Sequence, residues 1–438
     1  LTERVEGDHH EPYTWIRPYG EGRVFYTAYG HDTETFNNQG FLDLVKNGIM
    51  WAVGEEAKAN LEKVSIAKLE YTDGLVPNYE KRDPAPRVQQ PLSPEESMSL
   101  MQVPVGFELK LFASEPMIFN PMYMNWDEKG RLWVIETVDY PNEVKDDDMG
   151  DDRIKILEDT DGDGKADKVT TFAEKLNIPT SFVFSNGGII VSQSPSFLFL
   201  KDTDGDDVAD VREDILPGWG KHDTHAQSSN LRYGLDNDIW GMVGYSGFEG
   251  ASQQGGVDSV SFDNAMYKFD PNTREIEHLG DASNNTWGLG FSEEFDVFIS
   301  TANNTHTAFF GIPKRYFEKA DIDENGVTKL DAHYDMRYAI KNLRQVDVMG
   351  GFTAAAGHSL YTARDFPKSY WNSVAFVTEP TGRLVHRVRL KQEGAGFIED
   401  GDGWNLLTSG DEWAGPIQAE VGPDGAVWIA DWYNFIIQ

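Results

Sequence analysis

From about residue 104 onward the chain repeats one unit: a polar-apolar strand, a turn rich in Asp, Asn and Gly, then an apolar strand. Met122-Tyr-Met-Asn125 leads to Leu132-Trp-Val-Ile135, and Ser181-Phe-Val-Phe184 to Ile189-Ile-Val191. Asn230-Leu-Arg-Tyr233 leads to Ile239-Trp-Gly-Met-Val243, and Trp287-Gly-Leu-Gly-Phe291 to Val297-Phe-Ile299. Ser359-Leu-Tyr361 leads to Val374-Ala-Phe-Val377, and Ile417-Gln-Ala-Glu-Val421 to Val427-Trp-Ile429. A unit that recurs roughly every 50 to 75 residues is expected of four-stranded propeller blades with insertions. Only two strands of the sixth unit precede the end of the chain, and Phe107-Glu-Leu-Lys-Leu-Phe112 is a spare strand ahead of the first. Closing a ring removes exposed sheet edges, so the spare strand is expected to complete the last blade. The expected fold is mostly β: a six-bladed β-propeller over residues 104–438, truncated in its last blade.

Residues 1–56 follow a different pattern. Tyr13-Thr-Trp15 and Gly22-Arg-Val-Phe-Tyr26 read as strands, and residues 40–52 as a covering helix, the end of an α/β domain. At this length the segment cannot be a domain by itself. Residues 57–103, with Asp83-Pro-Ala-Pro86 and Leu92-Ser-Pro-Glu-Glu96, read as a linker holding one short helix capped at Ser93. The chain starts without Met or a signal peptide and is expected to be a fragment of a longer protein.

Two acidic loops interrupt the first two units. Asp159-Thr-Asp-Gly-Asp-Gly-Lys-Ala-Asp167 and Asp202-Thr-Asp-Gly-Asp-Asp-Val-Ala-Asp210 each carry carboxylates at relative positions 1, 3, 5 and 9. This spacing wraps oxygen ligands around a hard cation such as Ca²⁺. EF-hands add a Glu at position 12 and flanking helices. Here position 12 is Thr170 in the first loop and Glu213 in the second, and strands precede both. Two structural Ca²⁺ sites are expected. Asp159, Asp161, Asp163 and Asp167, with the Lys165 carbonyl, would form one; Asp202, Asp204, Asp206 and Asp210 would form the other.

Charge narrows the partners. Lys plus Arg number 38 against 73 Asp plus Glu, a net charge of −35, so the basic footprint that nucleic acid requires is missing. The absence of cysteine excludes disulfides, thiolate metal sites and cysteine nucleophiles within these residues. No run of 18 or more apolar residues occurs, so no membrane span is expected here.

Tyr19-Gly-Glu-Gly-Arg-Val-Phe-Tyr26, Tyr29-Gly-His-Asp32 and Gly48-Ile-Met-Trp51 resemble the C-terminal end of a ThuA-like (trehalose-utilisation) domain, an α/β fold related to glutamine amidotransferases. His31 matches a recurrent position of that family. A second resemblance is carried by residues 103–116, both acidic loops, His222-Asp-Thr-His225, Asn285-Thr-Trp-Gly-Leu-Gly-Phe291 and Ala430-Asp-Trp-Tyr433. These look like the propeller called the membrane-bound dehydrogenase domain in Planctomycetes, Verrucomicrobia and Bacteroidetes. That propeller is more distantly similar to soluble sugar dehydrogenases that use pyrroloquinoline quinone (PQQ). The resemblance implies a sugar or polyol substrate, a periplasmic or extracellular location, and an electron acceptor or cytochrome domain outside these residues.

His225 matches the position of the base in the PQQ sugar dehydrogenases, where an imidazole of near-neutral pKa suits proton abstraction. Asp223 would orient it and His222 would lie beside it. The expected cofactor neighbours are Asn285, Arg344, His358 and Trp432. The dehydrogenases open a blade with an Arg-Asn pair that helps hold the trianionic PQQ, whereas this chain has Asn284-Asn285. PQQ is therefore only a possible cofactor, and an oxidoreductase acting on a sugar or polyol, with His225 as base and a quinone or other acceptor in the channel, is one expectation among three. The others are a non-catalytic Ca²⁺-stabilised propeller that binds carbohydrate or protein, and a redox-neutral lyase or hydrolase built on the same His cluster.

Overall fold

The computed structural model describes residues 2–61, 65–74, 85, 87–142, 144–145, 150–252, 256, 258–303, 305–324, 326–333, 335–345 and 348–436. It divides into two compact units, Leu1–Ala67 and Lys68–Gln438.

In the first unit, Thr2–Glu6, His9–Tyr19 and Gly22–Thr27 form a three-stranded antiparallel sheet in chain order. Trp15 stacks on Tyr26 across its second and third strands at 4.9 Å. The helix Gln39–Leu61 breaks at Gly54, whose φ of 83° is open to glycine at little steric cost. The strands and covering helix expected here are present, with Thr2–Glu6 as an additional strand.

The second unit is the propeller, and its sheets follow the sequence repeat. Pro121–Trp126, Leu132–Glu136, Asp152–Glu158 and Lys168–Leu176 form the first sheet; Ser181–Ser185, Gly188–Ser192, Ser196–Lys201 and Val211–Pro217 form the second. The third holds Ser228–Tyr233, Ile239–Val243, Ala265–Phe269 and Ile276–Asp281, and the fourth Thr286–Phe291, Val297–Thr301, Thr305–Phe310 and Val327–Lys329. The fifth is built on Ala356–Leu360, Val374–Glu379, Leu384–Glu393 and Asn405–Ser409, and the sixth on Pro416–Val421 and Val427–Asp431. The first strand of each sheet neighbours that of the next, and Pro416–Val421 returns to Pro121–Trp126.

The second strands Leu132–Glu136, Ile239–Val243, Val297–Thr301 and Val374–Glu379 are buried at every position. Each lies inside a sheet covered on both faces, which explains apolar runs without strict alternation. Close approach of the inner strands relies on glycine. A Cβ on Gly290 would lie 1.6 Å from the His358 carbonyl oxygen, so only glycine lets the fourth sheet meet the fifth.

Two expectations need correction. Phe107–Phe112 is not a strand. Its alternation reflects packing without a ladder: Phe107 meets Phe366 at 4.6 Å, and Phe112 meets Trp428 of the sixth sheet at 4.7 Å. The added strand is instead Met101–Gln102, which pairs with Asn405–Ser409 on the fifth sheet. Residues 88–102, read as linker, are likewise built into this unit. Gln89 is fully buried and bonded to Asp411, Glu412 and Trp413. The helix Pro94–Met98 carries the expected capping box at Ser93. Asp83, Pro84 and Pro86 lie outside the described residues.

Candidate functional site at the channel end and in the acidic loops

The loop before the third sheet is fixed from three sides. The Asp223 amide is bonded to Ser246 Oγ, which donates to the Asp223 carbonyl, and Thr224 Oγ1 donates to the Pro141 carbonyl. The His225 carbonyl accepts from Asn285 Nδ2 at 2.8 Å and Trp287 Nε1 at 2.6 Å. Inside this frame His225 Nδ1 lies 3.1 Å from Asp223 Oδ1, which also accepts the His225 amide. The carboxylate thereby sets the ring's orientation and leaves Nε2 outside the pair, and the imidazole is 40% exposed. Tyr140 packs edge-on to His225 at 5.4 Å and, behind it, to the buried Trp432 at 5.6 Å, so one aromatic ring stands against the imidazole and Trp432 backs that ring. Burial, reinforced by the Asp223 charge, raises the Tyr140 pKa and keeps its hydroxyl protonated.

Of the residues expected at this site, the structure brings together His225, Asp223, Asn285 and Trp432. His222 is exposed in the same loop. His358 does not join them. It is fully buried, bonded to Thr307 Oγ1 at 2.8 Å and stacked on Phe298. Burial pushes its pKa down to about 3, so the ring is neutral and acts as packing between sheets. Arg344 also lies elsewhere, donating to the Arg87 carbonyl and resting 4.6 Å over the Phe435 ring.

Sequence reasoning missed Tyr140. Its signal was positional, since Tyr140 and Trp432 both follow the second strand of their sheets. It also missed Arg232, which leaves the first strand of the third sheet and pairs with Glu420 on the first strand of the sixth. Ser359 Oγ of the fifth sheet donates to the same carboxylate at 2.7 Å. Burial alone would favour the neutral guanidinium, but Glu420 prevails and holds the Arg232 pKa above its ordinary value.

Both acidic loops join the third and fourth strands of their sheets and share one set of bonds. Asp159 accepts the Gly162 and Gly164 amides at 2.7 and 2.8 Å; Asp202 accepts those of Gly205 and Asp207 at the same distances. Thr160 and Thr203 each bond to the last Asp of their loop, Asp167 and Asp210. Asp163 accepts the Lys165 amide at 2.8 Å. Oxygens of Asp159, Asp161 and Asp167 lie within 4.8 Å of one another, as do those of Asp202, Asp204 and Asp206. Repulsion from Asp206 raises the Asp204 pKa. Asp207 ties the second loop to Arg131 in the first sheet at 2.8 Å. A cleft of about 500 Å³ opens beside Asp159, lined among others by Trp126, Arg131, Asp207 and Trp428, away from His225.

Residues 93–438 match the family described as a domain of unknown function, DUF7133. The chain belongs to this family. Residues 2–52 match ThuA, trehalose utilisation. Among curated proteins nothing matches. Two solved structures of Trichoderma reesei Carbohydrate-Active Enzymes Family AA12, an iodide and a calcium structure, superpose with a TM-score of 0.50 at 12% identity. Each match covers 76% of this chain, with 95% of the iodide structure's chain and 94% of the calcium structure's. The holo PQQ domain of pyranose dehydrogenase from Coprinopsis cinerea superposes at 0.48 with 10% identity, over 76% of this chain and 94% of that one. At such identities the likeness to the two Trichoderma reesei structures shows the fold alone, which is mostly β.

Proposed function

We propose that this DUF7133 propeller binds a sugar or polyol at the His225 end of its channel and oxidises it. The observation that carries the reading is the His225–Asp223 pair at 3.1 Å, partly exposed and packed against Tyr140, which Trp432 backs. Aromatic faces suit the C–H faces of a sugar ring, and an oriented imidazole suits removal of a hydroxyl proton. In this reading Nε2 takes the hydroxyl proton while the carbinol carbon gives a hydride to a two-electron acceptor. The description of the two Trichoderma reesei structures as Carbohydrate-Active Enzymes supports the substrate class.

Bound PQQ does not fit the residues present. Its three carboxylates need cations, and the position that would supply one is Asn284, bonded to Tyr245. Arg232 is paired with Glu420, and Arg387 with Asp402. Arg383 donates to the carbonyls of Ala414, Asn434 and Phe435. The acceptor in this reading is therefore less anionic than PQQ and comes from outside the chain. The same commitment of guanidinium groups favours a second reading, a carbohydrate-binding propeller without redox chemistry.

The acidic loops are proposed to hold one Ca²⁺ each through Asp159, Asp161, Asp163, Asp167 and the Lys165 carbonyl, and through Asp202, Asp204, Asp206 and Asp210. The all-oxygen donor set fits that ion, and three carboxylates of each loop already converge: Asp159, Asp161 and Asp167 in one, Asp202, Asp204 and Asp206 in the other. Ca²⁺ sites and the dehydrogenase-like fold support a periplasmic or extracellular setting.

The test is reduction of a dichlorophenolindophenol-type dye across a sugar and polyol panel, with and without Ca²⁺ and PQQ, for wild type and His225→Ala. The oxidoreductase reading expects sugar-dependent reduction that His225→Ala abolishes. Saturable sugar binding without reduction supports the binding module.

A further inference from the structure

Three of the ten histidines, His306, His333 and His386, belong to no motif read from the sequence, and they converge in the structure. His306 stands on the third strand of the fourth sheet and His386 on the third strand of the fifth. His333 follows Val327–Lys329, and Glu399 ends Gly396–Glu399, the short strand paired with the one that carries His386. The ring centroids of His306, His333 and His386 form a near-regular triangle with sides of 4.8, 5.0 and 5.0 Å. One ring nitrogen from each, with a Glu399 oxygen, fits within a 4.8 Å span. The side chains of His306, His386 and Glu399 are at most 1% exposed, and that of His333 is 23% exposed.

The outer nitrogens of His333 and His386 already have acceptors. His333 Nδ1 lies 3.0 Å from the Asp335 carbonyl oxygen, which can only accept a hydrogen bond. His386 Nδ1 lies 3.3 Å from Asn405 Oδ1, whose amide nitrogen is engaged with Arg337 O and Thr408 Oγ1. His306 Nδ1 faces Asp331 Oδ1 at 3.6 Å. With the protons placed on Nδ1, the Nε2 lone pairs turn inward upon a carboxylate. His333 Nε2 and His386 Nε2 are 3.3 Å apart, and they lie 3.5 and 3.4 Å from Glu399 Oε1. His306 Nε2 lies 3.0 Å from Glu399 Oε2, which also accepts the Ala332 amide. Three lone pairs and a carboxylate at these separations need a cation among them.

We propose that His306, His333, His386 and Glu399 bind one divalent transition-metal ion, of the Zn²⁺ class, which fastens the fourth sheet to the fifth. Bonds of roughly 2.0–2.2 Å to a tetrahedral ion put ligand atoms about 3.3–3.6 Å apart, close to the separations seen among His333, His386 and Glu399. Three imidazoles and one carboxylate match borderline ions rather than Ca²⁺, which takes oxygen ligands. The acceptors behind His333 and His386, and the Asp331 carboxylate facing His306, are supports of the kind that metal-bound histidines use. Four protein ligands fill a tetrahedron, as in structural centres. The site is chemically and positionally distinct from the acidic loops and from His225.

The test uses the full chain, stripped with a chelator and titrated with Zn²⁺ or Co²⁺. Expected are about one tightly held Zn²⁺ per chain by elemental analysis, the visible ligand-field bands of tetrahedral Co²⁺, and a higher melting temperature with metal. His333→Ala, chosen because it is the least buried ligand, should remain folded by circular dichroism, lose the Co²⁺ bands and bind Zn²⁺ at least tenfold more weakly. Glu399→Gln should do the same. Asp159→Asn with Asp202→Asn should retain the bound Zn²⁺, separating this centre from the acidic loops. Folded wild type that shows no tetrahedral Co²⁺ spectrum and holds no zinc, or His333→Ala that binds as wild type does, would overturn the proposal.

Discussion

Arg232→Met tests whether the Arg232–Glu420 pair holds the third sheet to the sixth. The Arg232 and Glu420 side chains are only 22% and 16% exposed, so removing the cation strands a largely covered carboxylate. Breaking a buried pair from one side costs about 3–5 kcal/mol. Glu420 keeps its bond from Ser359 and some solvent, which lowers the expected loss to about 2–3 kcal/mol. The double variant Arg232→Met, Glu420→Gln removes both charges and should lose only about 1 kcal/mol, a pattern that a double-mutant cycle isolates. Urea unfolding followed by tryptophan fluorescence at pH 7.5 gives the values. A loss below about 1 kcal/mol in the single variant, or a coupling near zero, would refute the reasoning.

Three further outcomes follow from the geometry. A Cβ on Gly244 would fall 1.7 Å from Asn285 Oδ1, so Gly244→Ala should displace the amide that holds the His225 carbonyl. It should destabilise by about 1–3 kcal/mol and lower any His225-dependent turnover, as a paired urea melt and rate assay would show. Calcium at a hundred times its dissociation constant should add about 2.7 kcal/mol of stability for each occupied loop. Excess chelator that left the melting temperature unchanged would exclude the Ca²⁺ sites. Burial first of all raises the Glu379 pKa to about 7. The neutral carboxyl's contribution is therefore intact below the unfolded value near 4.5 and is lost as pH rises through 7. Glu379→Gln should flatten the pH–stability curve over that window by up to about 3 kcal/mol, which thermal melts at pH 4.5 and 8 would detect.

The propeller was legible because its second strands are covered on both faces, and that condition writes continuous apolar runs between Asp, Asn and Gly turns. The acidic loops were legible for a similar reason: all their candidate ligands lie within nine residues. The His225 group was harder to read. His225 and Asp223 stand together in sequence, but Tyr140 and Trp432 meet only when the first and sixth sheets do. His358 misled because a histidine at the start of an inner strand can face either the channel or the next sheet, and only packing against Phe298 decides. The triangle of His306, His333 and His386 left no local trace, since its members lie on separate strands and loops. Phe107–Phe112 shows a further limit. Alternation records which side chains are buried, and side chains can be buried without a ladder of backbone bonds.

Gln89 meets Asp411 at a sequence separation of 322, and Tyr433 meets Leu92 at a separation of 341. The ring is thus sealed by side chains from opposite ends of one long stretch of chain. Chain entropy opposes bringing such ends together by about 5 kcal/mol. During synthesis the first five sheets leave the ribosome before their sealing partners have been made, and sheet-edge groups and apolar surface wait uncovered meanwhile. A single cut in an exposed turn of the finished molecule leaves that seal in place. Loss of residues beyond Gly410 removes the sixth sheet together with the partners of Gln89 and Leu92. The mature protein should therefore withstand nicking far better than the nascent chain withstands premature termination.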